Sequence, residues 1–332
     1  MTATGVGSRL SIRDAVSEAI MHEMETDSSV VVIGQDVGRF GGALGTYSGL
    51  YDRFGDDRMI ETGISESAVV SLGLGASLAG YRPIVDLMFA DFIPVAANAL
   101  LSQVANFSYM TGGEWTPQLV VRTRGGDGPY RAHPQNLEAL LGHVPGLTVV
   151  IPSTPADAYD LMTAAIRAPG PVVFIEPLYL LQGPRQLVDD GRDPARIGSA
   201  AVVRRGRDVT VVSYGRSMRM AQVAAAQLER DGIDCEIVDL RTVVPLDRGT
   251  LLDSVGRTGR LVVVHDAWLS GGIGAEVVAI VAESGHTHLS APPVRLGAPN
   301  IPVPYAQPLR DATLPRSQDI IDAVRSLVGE AR

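Results

Sequence analysis

The sequence predicts an α/β protein in two units, a mainly parallel sheet covered by helices and then a smaller α/β unit. Three observations lead there. Runs of Val and Ile recur at 30–34 (VVVIG), 84–88 (IVDLM), 118–122 (QLVVR), 147–151 (LTVVI) and 171–175 (PVVFI), separated by helical or Gly-rich stretches. Such continuous apolar strands belong to parallel sheets buried on both faces. The rhythm lapses between 182 and 198, and strand candidates resume at 208–215, 235–240 and 260–266. Finally, the 332 residues exceed the size, about 250–300 residues, at which a single core stops growing.

Ser11 is a candidate N-cap with Asp14 at the capping-box position, and Ile12, Ala15, Val16, Ala19 and Ile20 recur at helical spacing behind it. Phe92 to Gly113 carries no charge. Pro94, Asn98, Ser102, Gln103, Asn106 and Ser108 would each be costly in hydrocarbon, so the run is expected to be a buried helix and not a membrane span. The polar stretch GPRQLVDDGRDPARIG reads as a connection between units. The expected division is 1–185, a linker at 186–198, and 199–332. Further amphipathic helices are expected near 216–230, 271–284 and 317–330, and no tandem repeat or low-complexity tract occurs.

Composition narrows the function. Apolar residues make up 45% and charged residues 20%, with 36 glycines, the balance of a packed α/β enzyme. A net charge of -9 with scattered arginines offers no footprint for nucleic acid or an anionic membrane. Cys235 is the only cysteine, which rules out an intrachain disulfide or a thiolate metal cluster. It fits a reducing cytoplasm. The leader MTATGVGSRL has no apolar core of the kind a signal peptide needs.

The sharpest chemical signal is ETGISESAVVSLGLGASLAGYRP, residues 61–83, in which Glu66 is the sole charge between Glu61 and Arg82. A carboxylate there is either a first-turn residue favoured by the helix dipole or a group buried for a purpose. Phe89 and Phe92 follow a strand end, where ligands of open α/β sheets sit. His133 lies in the Gly-rich loop GGDGPYRAHPQ, where a solvated histidine is the ordinary outcome.

Across nearly its whole length the chain resembles the beta subunit of the thiamin-diphosphate-dependent first component of 2-oxo acid dehydrogenases, of the transketolase-like superfamily. The stretches that carry this are VVVIGQDVG, ETGISES, GLGASLAGYRPIVDLMFADF, RTRGGDGPYRAHPQ, HVPGLTVVIPSTPADAYDLM, PVVFIEP, DLRTVVPLD, GGIGAEV and PNIPVPYAQPLRDATLP. Their common order and spacing are far more specific than any single short motif.

The resemblance implies a pyrimidine-binding domain followed by a transketolase C-terminal-like domain. By position, Glu66 corresponds to the glutamate that hydrogen-bonds the aminopyrimidine of thiamin diphosphate and promotes its imino tautomer. Phe92 corresponds to the aromatic that packs on the pyrimidine face, and Ile64 is a further cofactor contact. Phe89 is expected in the core. His133 corresponds to an active-site histidine that assists proton transfer or delivery of the acyl group. The implied partners are an alpha-type subunit in an α2β2 heterotetramer, a lipoyl-bearing acyltransferase or an acyl carrier protein, and a small 2-oxo acid. Some relatives also hold a monovalent cation near the loop after LTVVIP.

Pro134 stands where relatives commonly have Ser after the histidine, and Gly63 where Pro is common. These departures touch the substrate and the acceptor more than the cofactor. Gly126, Asp127 and Gly128 spell the start of the diphosphate and Mg²⁺ motif, yet residues 150–160 hold none of the asparagine it requires. Mg²⁺ is therefore expected mainly on the alpha chain. GGIGAE at 271–276 lacks the third glycine of a dinucleotide loop and reads as helix-start packing. His265, Asp266 and Trp268 have no accompanying nucleophile, PVPYAQP reads as a proline-braced interface segment, and His22, His143, His286 and His288 form no metal-ligand pattern.

The leading expectation is oxidative decarboxylation of a 2-oxo acid with acyl transfer to a lipoyl group. The alternative is thiamin-dependent acyl or ketol transfer to another acceptor, as in acetoin cleavage or two-carbon loading of a carrier protein. A non-catalytic scaffold is disfavoured by Glu66, because an unpaired carboxylate beside an apolar helix is costly to keep. A nicotinamide dehydrogenase is disfavoured by the absent glycine fingerprint.

Overall fold

The structure, a computed structural model, describes residues 8–127, 132–181, 183–188, 194–284 and 286–329. Two sheets dominate it. The first runs Thr242–Val244, Thr148–Val150, Val172–Pro177, Val120–Gly125, Arg82–Phe89, Val30–Gly34, Met59–Glu61, and every pairing is parallel except that of Thr242–Val244. The second runs Val294–Ala298, Leu261–Trp268, Val209–Ser213, Cys235–Asp239, Ala201–Arg204, parallel but for the last. The expected fold class is the observed one.

The apolar strands are buried on both faces, and alternate residues go to opposite cores, as the period of two requires. Val30, Val32, Ile84 and Val120 meet the helices Ile12–Thr26 and Pro155–Arg167 on one face. Val31, Ile33, Val85 and Val121 enter the other core, which continues into Val212, Val238, Leu261 and Val263 of the second sheet. The two sheets thus share one apolar layer. On the far side of the second sheet, Val211, Ile237 and Val262 meet Arg216–Leu228 and Ser317–Gly329.

Ser11 caps its helix as expected, its hydroxyl accepting from Asp14 N while Asp14 reaches back to the Ser11 amide. The stretch 92–113 departs from the expected single buried helix. A 3₁₀ turn at Ala90–Phe92 leads into it, and it breaks into a π-helix at Asn98–Val104 and a short α-helix at Phe107–Met110, with Tyr109 91% exposed. Pro94 supplies no amide donor after the first turn, and Gly112 and Gly113, both at positive φ, end the last. Within the expected linker, Gln186–Val188 forms a strand antiparallel to Ser8–Leu10, and residues 189–193 lie outside the described residues. Among the described residues no helix is long and apolar enough to cross a membrane.

Candidate active site

The carboxyl ends of three neighbouring strands of the first sheet carry charge into an otherwise apolar layer. Register sets Asp86 beside Arg122, and Arg124 beside Glu176. All four are buried. Arg122 Nη1 donates to Asp86 Oδ2 at 2.6 Å and Arg124 Nη2 to the same oxygen at 3.1 Å, while Tyr47 OH donates to it at 2.9 Å. Arg122 also forms an ion pair with Glu176 and donates to Thr46 Oγ1 at 2.8 Å. Burial pushes the Asp86 carboxyl up, but the two guanidinium groups outweigh it and hold it at about 2.

This network shapes the backbone above it. Asp86 Oδ1 accepts from Met88 N at 2.7 Å, and Arg124 Nη1 donates to Met88 O at 3.0 Å. Both bonds hold Met88 at φ 55, an uncommon conformation for a residue with a side chain. Pairing slips there: Asp86 faces Arg122, yet Phe89 faces Arg124, so one extra residue bulges. A bulge re-aims the residues beyond it. Phe89 and the turn Ala90–Phe92 are directed towards the loop that carries His133.

Three rings meet there. His133 lies 5.0 Å from Phe89 and 4.8 Å from Phe92, centroid to centroid, and the two phenyl rings are 6.1 Å apart edge to face. Phe92 and His133 are half-buried. Phe89 is buried, as expected, and also touches the histidine.

Glu66 is the first residue of the helix Glu66–Leu78 and lines a small cleft with Gln35, Gly63, Ser65, Val69 and Met88. It is half-buried, and among the described residues none donates a hydrogen bond to its carboxylate. The next residue, Ser67, donates to Val95 O at 2.6 Å, tying the helix start to the chain just beyond Phe92. Ile64 stands apart, 76% exposed, and forms no wall of the cleft.

Asp127 is engaged elsewhere, in a buried ion pair with Arg310, while Gly128 lies outside the described residues. Among the described residues no three His, Cys, Asp or Glu side chains cluster as metal ligands.

The second sheet also ends in polar residues. His265 is fully buried, its Nδ1 3.2 Å from Ala267 O. A Cβ at Gly272, Gly274 or Gly297 would come within 2.8, 2.7 and 3.1 Å of its ring. Burial lowers the His265 pKa, so the ring stays neutral at neutral pH. Asp266 accepts from Arg216 Nη1 at 3.0 Å and Ser217 Oγ at 2.6 Å, and Trp268 Nε1 donates to Ile301 O at 2.8 Å. GGIGAE opens the helix Ile273–Ser284, with Gly272 and Gly274 close against His265.

Sequence reasoning misses Asp86, Arg122, Arg124 and Glu176. Their signal is present as charges inside IVDLM, VVRTR and VVFIEP, because a charge in a strand buried on both faces must find a partner.

Two parallel-sheet units sharing one apolar layer, with a carboxylate lacking a described donor and an aromatic–histidine cluster at the carboxyl ends of the first, define a transketolase-like architecture. Residues 8–183 match the model of the transketolase pyrimidine-binding domain, and residues 198–320 that of the transketolase C-terminal domain. A solved structure described as a split-gene transketolase, inactive beta4 tetramer, superposes with a TM-score of 0.81 at 22% identity, covering 98% of this chain and all of that one, which concerns the fold. The chain is 41% identical to the 2-oxoisovalerate dehydrogenase subunit beta of Bacillus subtilis over 96% of this chain and 98% of the relative. It is 42% identical to the acetoin:2,6-dichlorophenolindophenol oxidoreductase subunit beta of Cupriavidus necator (96% and 97%) and 37% identical to the pyruvate dehydrogenase E1 component subunit beta of B. subtilis (96% and 99%). The chain belongs to the family of beta subunits of thiamin-dependent 2-oxo acid and acetoin dehydrogenases.

Proposed function

We propose that this chain supplies the pyrimidine-binding half of a thiamin-diphosphate site that decarboxylates a small 2-oxo acid and passes the acyl group to a lipoyl arm. An alpha-type chain completes the site in an α2β2 assembly. The observation that carries the reading is the Glu66 carboxylate, half-buried, without a donor among the described residues, and lining a cleft at the carboxyl end of a parallel sheet. A charge in that setting calls for a ligand that can share a proton with it.

Those residues fit the pyrimidine end of the cofactor: an open acceptor, a half-buried aromatic in Phe92, and a neighbouring histidine. When bound, thiamin diphosphate supplies a carbon nucleophile for the 2-oxo carbonyl and an electron sink for the decarboxylation. Glu66 holds and releases a proton at its carboxylate oxygens towards the ring; Phe92 fixes the orientation of that ring; His133 moves a proton at the acyl group during transfer. Ile64, exposed in this chain alone, becomes a cofactor contact only once a partner covers it.

With Asp127 committed to Arg310, the diphosphate and Mg²⁺ belong to the alpha chain. A monovalent cation near the loop after LTVVIP, a division at 1–185, 186–198 and 199–332, and a cytoplasmic location belong to the same proposal.

The first test is calorimetric titration of thiamin diphosphate and Mg²⁺ into this chain alone and with its alpha partner. Tight binding only with the partner is expected, and no binding to either would overturn the split site. Glu66→Gln is expected to lower turnover of the assembled enzyme by about 10²–10⁴-fold with assembly intact; full activity would sink the assignment. His133→Ala is expected to spare dye-linked decarboxylation while lowering lipoamide acylation.

A second reading, acetoin cleavage, draws on the 42% identity to the acetoin enzyme, as high as that to the branched-chain one. Turnover of acetoin but not of 2-oxo acids by the assembled enzyme would select it.

A further inference from the structure

The loop that carries His133 is tied down two residues later, at Gln135. Gln135 N donates to Asp91 Oδ2 at 3.2 Å and Gln135 Nε2 to Asp91 Oδ1 at 2.9 Å, so one carboxylate takes both the backbone and the side chain. On the opposite side, Gly126 N donates to Gln135 O at 3.1 Å. Close approach is possible because residue 126 is glycine: its φ is +80, and a Cβ there would lie 2.9 Å from Asn136 Oδ1. Both main-chain groups of Gln135 are therefore held, one by the turn Ala90–Phe92 and the other by the end of the strand Val120–Gly125.

Asp91 immediately precedes Phe92, whose ring is 4.8 Å from His133. The carboxylate thus ties the histidine's loop to the same turn that carries the aromatic. Asp91 and Gln135 line a cleft of about 450 Å³ with Ala132, Trp268, Ile301 and Pro302, so the clamp sits between the ring cluster and the second unit. Gln135 is held through its amide, its carbonyl and its side chain, more than a solvated loop needs to close.

We infer that Asp91 is a positioning residue: by clamping Gln135 it fixes the His133 imidazole against Phe89 and Phe92 for proton transfer to the acyl acceptor. The inference rests on the role given to His133 above.

The test compares wild type, Asp91→Ala, Asp91→Asn, His133→Ala and the double variant Asp91→Ala/His133→Ala, each assembled with its alpha partner and cofactor. Acylation of free lipoamide, dye-linked decarboxylation, the thermal midpoint and hydrogen exchange of residues 132–137 are measured. Asp91→Ala is expected to lower kcat for lipoamide acylation by about 10- to 100-fold, the scale of a misplaced catalytic group. The KM for the 2-oxo acid and the thermal midpoint should hold, while exchange of 132–137 speeds up. Asp91→Asn should fall between, since it retains one of the two acceptors. The double variant should be no slower than His133→Ala alone.

Losses that multiply in the double variant would overturn the inference, because Asp91 would then act independently of the histidine. A drop in thermal midpoint matching the drop in rate would reduce Asp91 to a structural residue and overturn it as well. If His133→Ala acylates normally, the reading of His133 fails instead. Exchange separates the two failures: faster exchange in Asp91→Ala means the clamp is real but its target idle, and unchanged exchange means there is no clamp.

Discussion

The two sheets end differently at their carboxyl edges, although both end in polar residues. The first buries Asp86, Arg122, Arg124 and Glu176 as a mutually paired set and leaves Glu66 without a described donor beside them. In the second, Asp266 and Trp268 are hydrogen-bonded, and His265, whose Nε2 has no hydrogen-bond partner among the described residues, is walled in by three glycines. The rule that ligands gather beyond strand ends nominates both edges. What separates them is which polar groups remain open and reachable.

The largest test of this contrast is Asp86→Asn. It leaves two buried guanidinium groups without their shared counter-ion, and breaking such a set costs about 3–5 kcal/mol, readable as a fall in the denaturant midpoint. The acid response sharpens it. The Asp86 carboxyl is depressed from 3.8 to about 2, so its contribution is full above pH 3.8 and is lost as pH falls through 2. Asp86→Asn should remove that part of the acid dependence; an unchanged acid profile would mean the ion set contributes little.

Gly274→Ala comes next, since its methyl would lie 2.7 Å from His265 Nε2. Overpacking of this kind costs about 1–3 kcal/mol, measured as a lower thermal midpoint. Gly63→Ala should do least. A Cβ added there would meet no atom within 4 Å beyond its chain neighbours, although Gly63 lines the Glu66 cleft. A stability change below about 0.5 kcal/mol is expected, and a large loss would mean that the cleft is as tightly filled as the cage around His265.

Much of this is legible in the sequence because it is local. The Ser11 cap, the apolar strands and the helix opening at Glu66 each depend on residues a few positions apart. The ion set depends on register, which joins Asp86 to Arg122 across 36 positions, and no periodicity reports it. The stretch after Phe92 is misread because its lack of charge suggests burial. Pro94 and the paired glycines have a stronger say over the backbone, and Tyr109 and Met110 end at the surface. Phe92 and His133 are noticed by position but take their roles from the resemblance, and their ring contact cannot be read from positions so far apart in the chain.

Thr242–Val244, from the second unit, forms the outermost rung of the first sheet beside Thr148–Val150. A fragment stopping at residue 185 would carry a first unit whose border strand had lost its neighbour. Exposed borders of that kind recruit other chains. The first half, expressed alone, should therefore self-associate through that border, and a short peptide spanning 240–246 should compete with it.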